Sequence, residues 1–419
     1  MRLSTFLAAL FITVSWTLQA DDWTAFRGSA GDGISKEKTV PTKWSAEENI
    51  KWKVPLPTRG NSSPIVSNNS VFVTCAEDKG KKRSLYCYRR KDGKLLWTRS
   101  VTYPKVMPTH QTSNYCGSTP VADGQRVVVW HSSAGLVCYD FKGNEQWKKN
   151  LGEFKHMWGY GSSPILHKGN VILHCGPGKN VFMIAIDLKT GKEVWRTPEP
   201  LLGNGEQNEN KKYMGSWSTP VVAKLKGKEI IVCSMATRVN GYDPETGKIL
   251  WSCSGLRGKR GDLAYTSPVI ANDICVAMGG FKGPALGFKM EGKGDITQNR
   301  LWRNYKKNPQ RVGSGVFLNG SIYIANSSGA IVQCIDPQTG NARWSTRTRG
   351  ASWWGSLVYA GGHFYATDQD GTTIVFKPNA KKLEIVAFNK LGENSNSTPA
   401  ISNGEIFIRT FKHLYCIGH

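Results

Sequence analysis

The chain has 419 residues and carries 55 Lys+Arg against 31 Asp+Glu, a formal charge of +24. With 21% charged and 39% hydrophobic residues it is too apolar to be disordered and too polar to cross a membrane many times. Its 45 glycines, 15 tryptophans and 14 tyrosines point to a β-rich protein with many tight turns rather than a helical one.

Arg2 is the only charge before Asp21. A mostly apolar run from Phe6 to Leu18 follows, and Leu18-Gln19-Ala20 ends it on a small residue. This pattern reads as a secretory signal peptide cut after Ala20, too short to span a bilayer comfortably. No Cys stands at the cleavage point, so a lipid anchor is not expected, and no later stretch is long and apolar enough to cross a bilayer. The mature chain is therefore expected to be soluble and periplasmic or secreted. Residues 21–44 read as an N-terminal extension.

From there one unit recurs eight times. It opens on a small-Ser/Thr-Pro-apolar motif: Ser62-Ser63-Pro64, Ser118-Thr119-Pro120, Ser162-Ser163-Pro164, Ser218-Thr219-Pro220, Thr266-Ser267-Pro268 and Ser397-Thr398-Pro399. Weaker copies are Gly313-Ser314-Gly315 and Gly355-Ser356-Leu357. A β-branched run follows each opening, such as Val127-Val128-Val129 or Ile230-Ile231-Val232. Then comes a turn leading to a Trp, as in Asp187-Leu188-Lys189-Thr190-Gly191-Lys192-Glu193-Val194-Trp195. The Asp can bond backbone N–H groups, the Gly accepts positive φ, and the Trp can fill the wedge between units. Four short strands per unit at about 40–55 residues per repeat is the signature of a β-propeller. The expected fold over residues 45–419 is an all-β, eight-bladed propeller of four-stranded antiparallel blades.

The eighth copy runs out at Leu414-Tyr415-Cys416-Ile417, before a fourth strand. Ile50-Lys51-Trp52-Lys53-Val54 precedes the first opening motif and is expected to complete that last blade. Trp52, Trp97, Trp147, Trp195, Trp251, Trp302 and Trp344 then share one docking position, and the seventh blade has Ile385-Val386 where the Trp is expected. Cys87, Cys138, Cys334 and Cys416 fall at one third-strand position that elsewhere holds Ala185, Gly241 or Gly287, which marks a small side chain in a packed layer. Equivalent sites on different blades lie too far apart for bridging, so buried free thiols are expected for most of the ten, one or two bridges being the alternative. Cys116 and Cys253 are placed in connecting loops.

Basic residues cluster at hairpin tips: Lys79, Lys81, Lys82 and Arg83; Arg89, Arg90 and Lys91; Lys224, Lys226 and Lys228; Arg257, Lys259 and Arg260. They read either as a solvated rim or as an attraction for an anionic partner, and export disfavours nucleic acid. No Gly-x-Ser-x-Gly elbow or His-Glu-x-x-His occurs. Gly287 to Gly294 imitates a phosphate loop but ends on Gly where Ser or Thr is needed, and Asp368-Gln369-Asp370-Gly371 lacks the spacing of a calcium loop. The loops entering the first strands should gather around the channel mouth. They offer Arg59; His110, Asn114 and Tyr115; His156, Trp158 and Tyr160; Tyr213 and Trp217; Tyr265; Arg311; Trp353 and Trp354. Arg59, Tyr115, Trp158, Tyr160, Trp217, Tyr265, Arg311, Trp353 and Trp354 form the candidate ligand site. Such a set suits a sugar ring, a quinone or a peptide strand.

The segment Ile184-Ala185-Ile186-Asp187 through Trp195 resembles the tryptophan-docking motif of pyrroloquinoline-quinone (PQQ) dehydrogenase propellers, and the likeness covers nearly all of residues 45–419. Trp23-Thr24-Ala25-Phe26-Arg27-Gly28 is similar to the lead-in of exported bacterial PQQ-like repeat proteins. The resemblance implies one of two roles. The first is a non-catalytic scaffold like the propeller lipoprotein of the outer-membrane β-barrel assembly machinery. The second is a quinoprotein dehydrogenase that oxidises an alcohol or sugar with PQQ and Ca²⁺ over the channel mouth. The chain lacks the adjacent-Cys pair of many such alcohol dehydrogenases, and its mouth loops carry few carboxylates, mainly Glu206, Glu209, Asp262 and Glu393. A metal and a general base need converging carboxylates. The favoured reading is a monomeric exported propeller, without catalytic or metal-binding residues, that binds an envelope protein or an acidic polysaccharide; the quinoprotein dehydrogenase is the alternative.

Overall fold

The computed structural model describes residues 22–304 and 311–419, so the expected leader lies outside the described residues. Eight antiparallel sheets follow one another around an axis, and the outermost strand of the last is supplied from the N-terminal end of the chain. In the first blade the strands are Ile65–Ser67, Ser70–Glu77, Lys82–Arg89 and Leu95–Thr102, paired in chain order. The last blade holds Ala400–Ser402, Glu405–Arg409 and His413–Ile417, and Ile50–Pro55 pairs with its final strand. The register sets Trp52 against Cys416 and Val54 against Leu414, so the ring closes as expected. Blade four carries a fifth strand, Gly294–Asp295, parallel to its outer edge. A two-stranded parallel ribbon, Tyr213–Ser216 with Gly261–Ala264, lies before blades four and five. No α-helix occurs among the described residues, and none is long and apolar enough to cross a membrane.

The packing between blades explains why the repeat demands its residues. In every blade that carries the docking Trp, the Trp faces the small third-strand residue: Cys87 with Trp97, Cys138 with Trp147, Ala185 with Trp195, Gly241 with Trp251, Gly287 with Trp302, Cys334 with Trp344 and Cys416 with Trp52. A side chain at Gly241 or Gly287 would collide with the ring. The indole then reaches the next blade. Trp195 donates to the Pro244 carbonyl at 3.0 Å and Trp52 to the Arg90 carbonyl at 2.7 Å. Gly191, at φ +68°, gives Trp147 a flat surface on the following turn, where Asp187 accepts from the Thr190 N–H at 2.7 Å. Trp251 sits edge-on to Phe288 instead, at 5.6 Å and 77°. In blade seven the register corrects one assignment: Val375 faces Ala387, so the Trp position is held by Ala387 and not by Ile385-Val386. There the bulky member of the pair has moved to the third strand.

All ten cysteines are buried and unpaired. Cys253 lies on an outer strand, Ile249–Ser254, rather than in a loop. Removing one docking indole forfeits its bond and opens a gap between blades. Trp195→Ala should lower unfolding stability by about 3–5 kcal/mol in urea denaturation, whereas Leu96→Ala, on an exposed outer position, should stay within about 0.5 kcal/mol.

Candidate functional site

The second residue of each opening motif carries a hydroxyl, and these hydroxyls encircle the axis. The Ser63 N–H donates to Thr119 Oγ1 at 2.9 Å, Thr119 to Ser163 at 3.0 Å and Ser163 to Thr219 at 3.0 Å. Ser267 donates to Ser314 at 2.9 Å, Ser314 to Ser356 at 3.0 Å, Ser356 to Thr398 at 2.9 Å and Thr398 back to Ser63 at 3.0 Å. Only the step from Thr219 to Ser267 is open among the described residues. The two weak motifs keep their Ser, which shows that the hydroxyl, and not the Pro, is what the ring requires. Each oxygen but that of Ser267 accepts a backbone N–H from the blade before it, so its own proton remains to be donated.

Above this ring lies a cavity of about 380 Å³. One wall is aromatic: Trp158, Trp217, Tyr265 and Phe281. Trp158 lies parallel to Phe281 at 6.2 Å and 4°, and Trp217 meets Tyr265 at 5.4 Å. Trp217 Nε1 donates to the Gly159 carbonyl at 3.0 Å, which fixes its ring. The other wall holds Asn61, His110, Thr112, Ser113, Trp354 and Asn396. Asn61 Nδ2 donates to the Thr112 carbonyl at 2.9 Å, and Asn396 Nδ2 donates to Asn61 Oδ1 at 3.2 Å. Among the described residues no Asp, Glu, Lys or Arg lines the cavity.

The N-terminal extension forms the floor. The Trp23 carbonyl accepts from Val66 of blade one and the Thr24 carbonyl from Ala122 of blade two, both at 2.9 Å. Arg27 then bonds the Gly315 carbonyl in blade six, and the Gly33 carbonyl accepts from Tyr359 of blade seven at 2.8 Å. Blades two and six stand opposite each other in a ring of eight, so the segment crosses the axis along a diameter. Phe26, between the two anchors, lines the cavity from below. Arg27 is only 2% exposed, and its burial pulls its pKa down to about 10.

The candidate residues therefore divide. Trp158, Tyr160, Trp217, Tyr265 and Trp354 line the cavity, as does His110. Trp353 does not: it is fully buried between blades six and seven, and Trp354 takes the inward position beside it. Arg311 is buried and bonded to Gln333 at 3.0 Å, with its pKa lowered to about 10 by burial. The Tyr115 ring covers Gly80, and its carbonyl accepts from Tyr160 Oη at 2.8 Å, while Arg59 is exposed outside the lining. Phe281 and Phe26 escaped the sequence reading. Phe281 sits on a hairpin between second and third strands, where Gly279-Gly280-Phe281 was the available signal, and Phe26 sits in the lead-in. His156 is buried beneath Trp217 at 4.9 Å and bonds the Met214 carbonyl at 2.9 Å.

Three of the four named carboxylates are engaged elsewhere, and Glu206 does not line the cavity. Glu209 pairs with Arg257 at 2.5 Å, Asp262 accepts from Asn208 at 3.0 Å, and Glu393 bonds His413 at 2.8 Å and Lys53 at 3.2 Å. Among the described residues no group of three or more His, Cys, Asp or Glu is placed to hold a metal ion. The described lining thus does not fit PQQ with Ca²⁺: among these residues the quinone's carboxylates would meet no Lys or Arg, and the ion would find no carboxylate. The basic clusters also divide. Lys79, Lys81 and Lys82 lie on the mouth side with Arg257, Lys259 and Arg260, whereas Arg90 is buried and paired with Glu405 at 2.8 Å, and Arg83 is buried against His131. Arg260 stands over Phe281 at 5.1 Å.

Buried imidazoles support this layer. Burial holds the His174 pKa down at about 4 and His131, beside Arg83, at about 3. Both stay neutral when folded but protonate near pH 6.5 when unfolded. Their contribution is full above pH 6.5 and is lost as pH falls toward the folded values. Stability measured by urea unfolding should thus drop between pH 7 and about pH 4, and His131→Gln should flatten that slope.

The sequence matches the family model described as "Outer membrane protein assembly factor BamB" over residues 29–197 and 81–346. Among curated proteins none matches it. Among solved structures it is similar to the europium-containing methanol dehydrogenase (TM-score 0.68, 12% identity, 95% of this chain and 98% of that one). It is also similar to BamB from Moraxella catarrhalis (0.58, 14%, 88% and 96%) and to the C-terminal WD40 domain of Sif2 (0.54, 11%, 92% and 98%). At these identities the likeness shows the fold alone.

Proposed function

Because the chain belongs to the PQQ-like β-propeller family, we propose that it is a non-catalytic binding module of the cell envelope, exported by its leader, which engages an acidic polysaccharide at the channel mouth. The observation that carries this reading is the split of charge at that face. No Asp, Glu, Lys or Arg among the described residues lines the cavity, while Lys211, Lys212, Lys259, Arg260 and Lys282 stand exposed around the aromatic wall. A basic rim draws in a polyanion over a distance set by screening, about 10 Å at 0.1 M salt. The family description, an assembly factor of the outer membrane, supports an envelope location and a role without chemistry. The quinoprotein alternative is supported by fold likeness alone and meets the misfit of the lining residues.

Immobilised polygalacturonate should retain the protein at low salt and release it as salt rises. Lys259→Glu with Arg260→Glu and Lys282→Glu should weaken retention by about tenfold or more. Retention that ignores both salt and these changes, or dye-linked alcohol oxidation after adding PQQ and Ca²⁺, would contradict the proposal.

A further inference from the structure

The central cavity has three features that together define its ligand. First, no Asp, Glu, Lys or Arg among the described residues lines it. A carboxylate, phosphate or ammonium group brought into it would lose its hydration and find no counter-charge among those residues. Second, it is two-sided. Trp158, Trp217 and Phe281 offer flat apolar faces on one side, and seven ring hydroxyls offer donors and acceptors beneath. In seven blades the backbone N–H just ahead of the inner strand is spent on the hydroxyl ring, and those of Val66, Ala122 and Tyr359 go to the N-terminal extension, which leaves fewer for a peptide strand. A ring with apolar C–H faces and a rim of hydroxyls matches both sides. Third, the cavity is blind. The segment from Thr24 to Arg27 is tied to opposite blades and sets Phe26 across the axis, so a polymer cannot thread the channel.

We infer that the cavity seats the terminal or branch-end sugar of a glycan, an uncharged pyranose, entering end-on from the mouth. The inference rests on the binding reading above and gives its central site a ligand class. The basic rim meets the acidic body of the polymer, while the cavity reads its neutral end. At about 380 Å³ the space lies near the small end of ligand pockets, which suits one or two sugar rings rather than a long segment. Affinity within the cavity is carried by stacking and hydrogen bonding and is therefore insensitive to salt, unlike the rim.

The test is tryptophan fluorescence of the full mature chain, titrated with glucose, galactose, mannose, N-acetylglucosamine and their disaccharides. At least one should shift the emission, with an affinity unchanged by salt. Phe281→Ala and Trp354→Ala, with their fold checked by circular dichroism, should each weaken it by about tenfold. The preferred disaccharide should compete as a linear chain, and the same sugar closed into a cyclic oligomer, which has no end, should not. If no neutral sugar binds, if neutral peptides bind instead, or if binding survives both variants, the inference is overturned. Salt-sensitive retention on polygalacturonate that persists in that case leaves the binding reading standing, whereas its loss as well removes both.

Discussion

The pairing of Ile50–Pro55 with His413–Ile417 is the constraint on which the rest of the molecule depends. A propeller left open would expose a strand edge and the inner face of a terminal blade, and nothing would set its radius. Once the first part of the chain is paired into the last blade, the inner strands must stand at one distance from the axis. The hydroxyls of the opening motifs then reach the neighbouring N–H groups at 2.9–3.0 Å almost all the way round. Each such bond contributes about 0.5–1.5 kcal/mol, and its loss leaves a buried N–H without a partner. The closing strand brings its own docking Trp, so the seam is packed like the other joints: Trp52 reaches the carbonyl of Arg90.

The same geometry accounts for the chemistry of the mouth. The opening motifs spend one backbone N–H per blade in the ring in seven of the eight blades, leaving hydroxyl protons and aromatic rings to face the axis. Among the described residues formal charge is kept off the cavity lining. Formal charges at the face are either exposed, as Lys211, Lys212 and Lys282 are, or paired, as Arg257 is with Glu209. Two of the buried arginines, Arg27 and Arg409, are tied to backbone carbonyls: Arg27 to Asp32 at 2.9 Å and Arg409 to Thr74 at 2.7 Å. A carbonyl cage satisfies a guanidinium without adding an anion, and it makes these residues anchors for loops rather than sites for ligands.

How far the sequence could be read follows from what each residue does. Residues under a repeated constraint were legible: the Trp, the small partner opposite it, the turn Asp and Gly, and the strand that closes the ring recur at fixed spacing because each blade poses the same packing problem. The mouth has no such repetition. Trp353 and Trp354 are adjacent, and backbone alternation sends one into the core and the other to the cavity, a choice that depends on a bridge between Trp353 and Asp368. Arg311 looked like a mouth cation but is taken by Gln333 on a neighbouring strand. Phe281 and Phe26 reach the cavity from a hairpin and from the extension, outside the loops that the repeat pattern marks. In blade seven the pairing register, and not the position of a bulky residue in sequence, identified Ala387 as the Trp equivalent.

Hydrogen–deuterium exchange measured peptide by peptide tests the closed ring most directly. The account predicts that amides within 50–55 and 413–417 exchange as slowly as those of the inner strands of the middle blades, and that the extension around Arg27 is protected as well. Fast exchange at 50–55 beside a protected core would contradict closure and would remove the cavity built upon it.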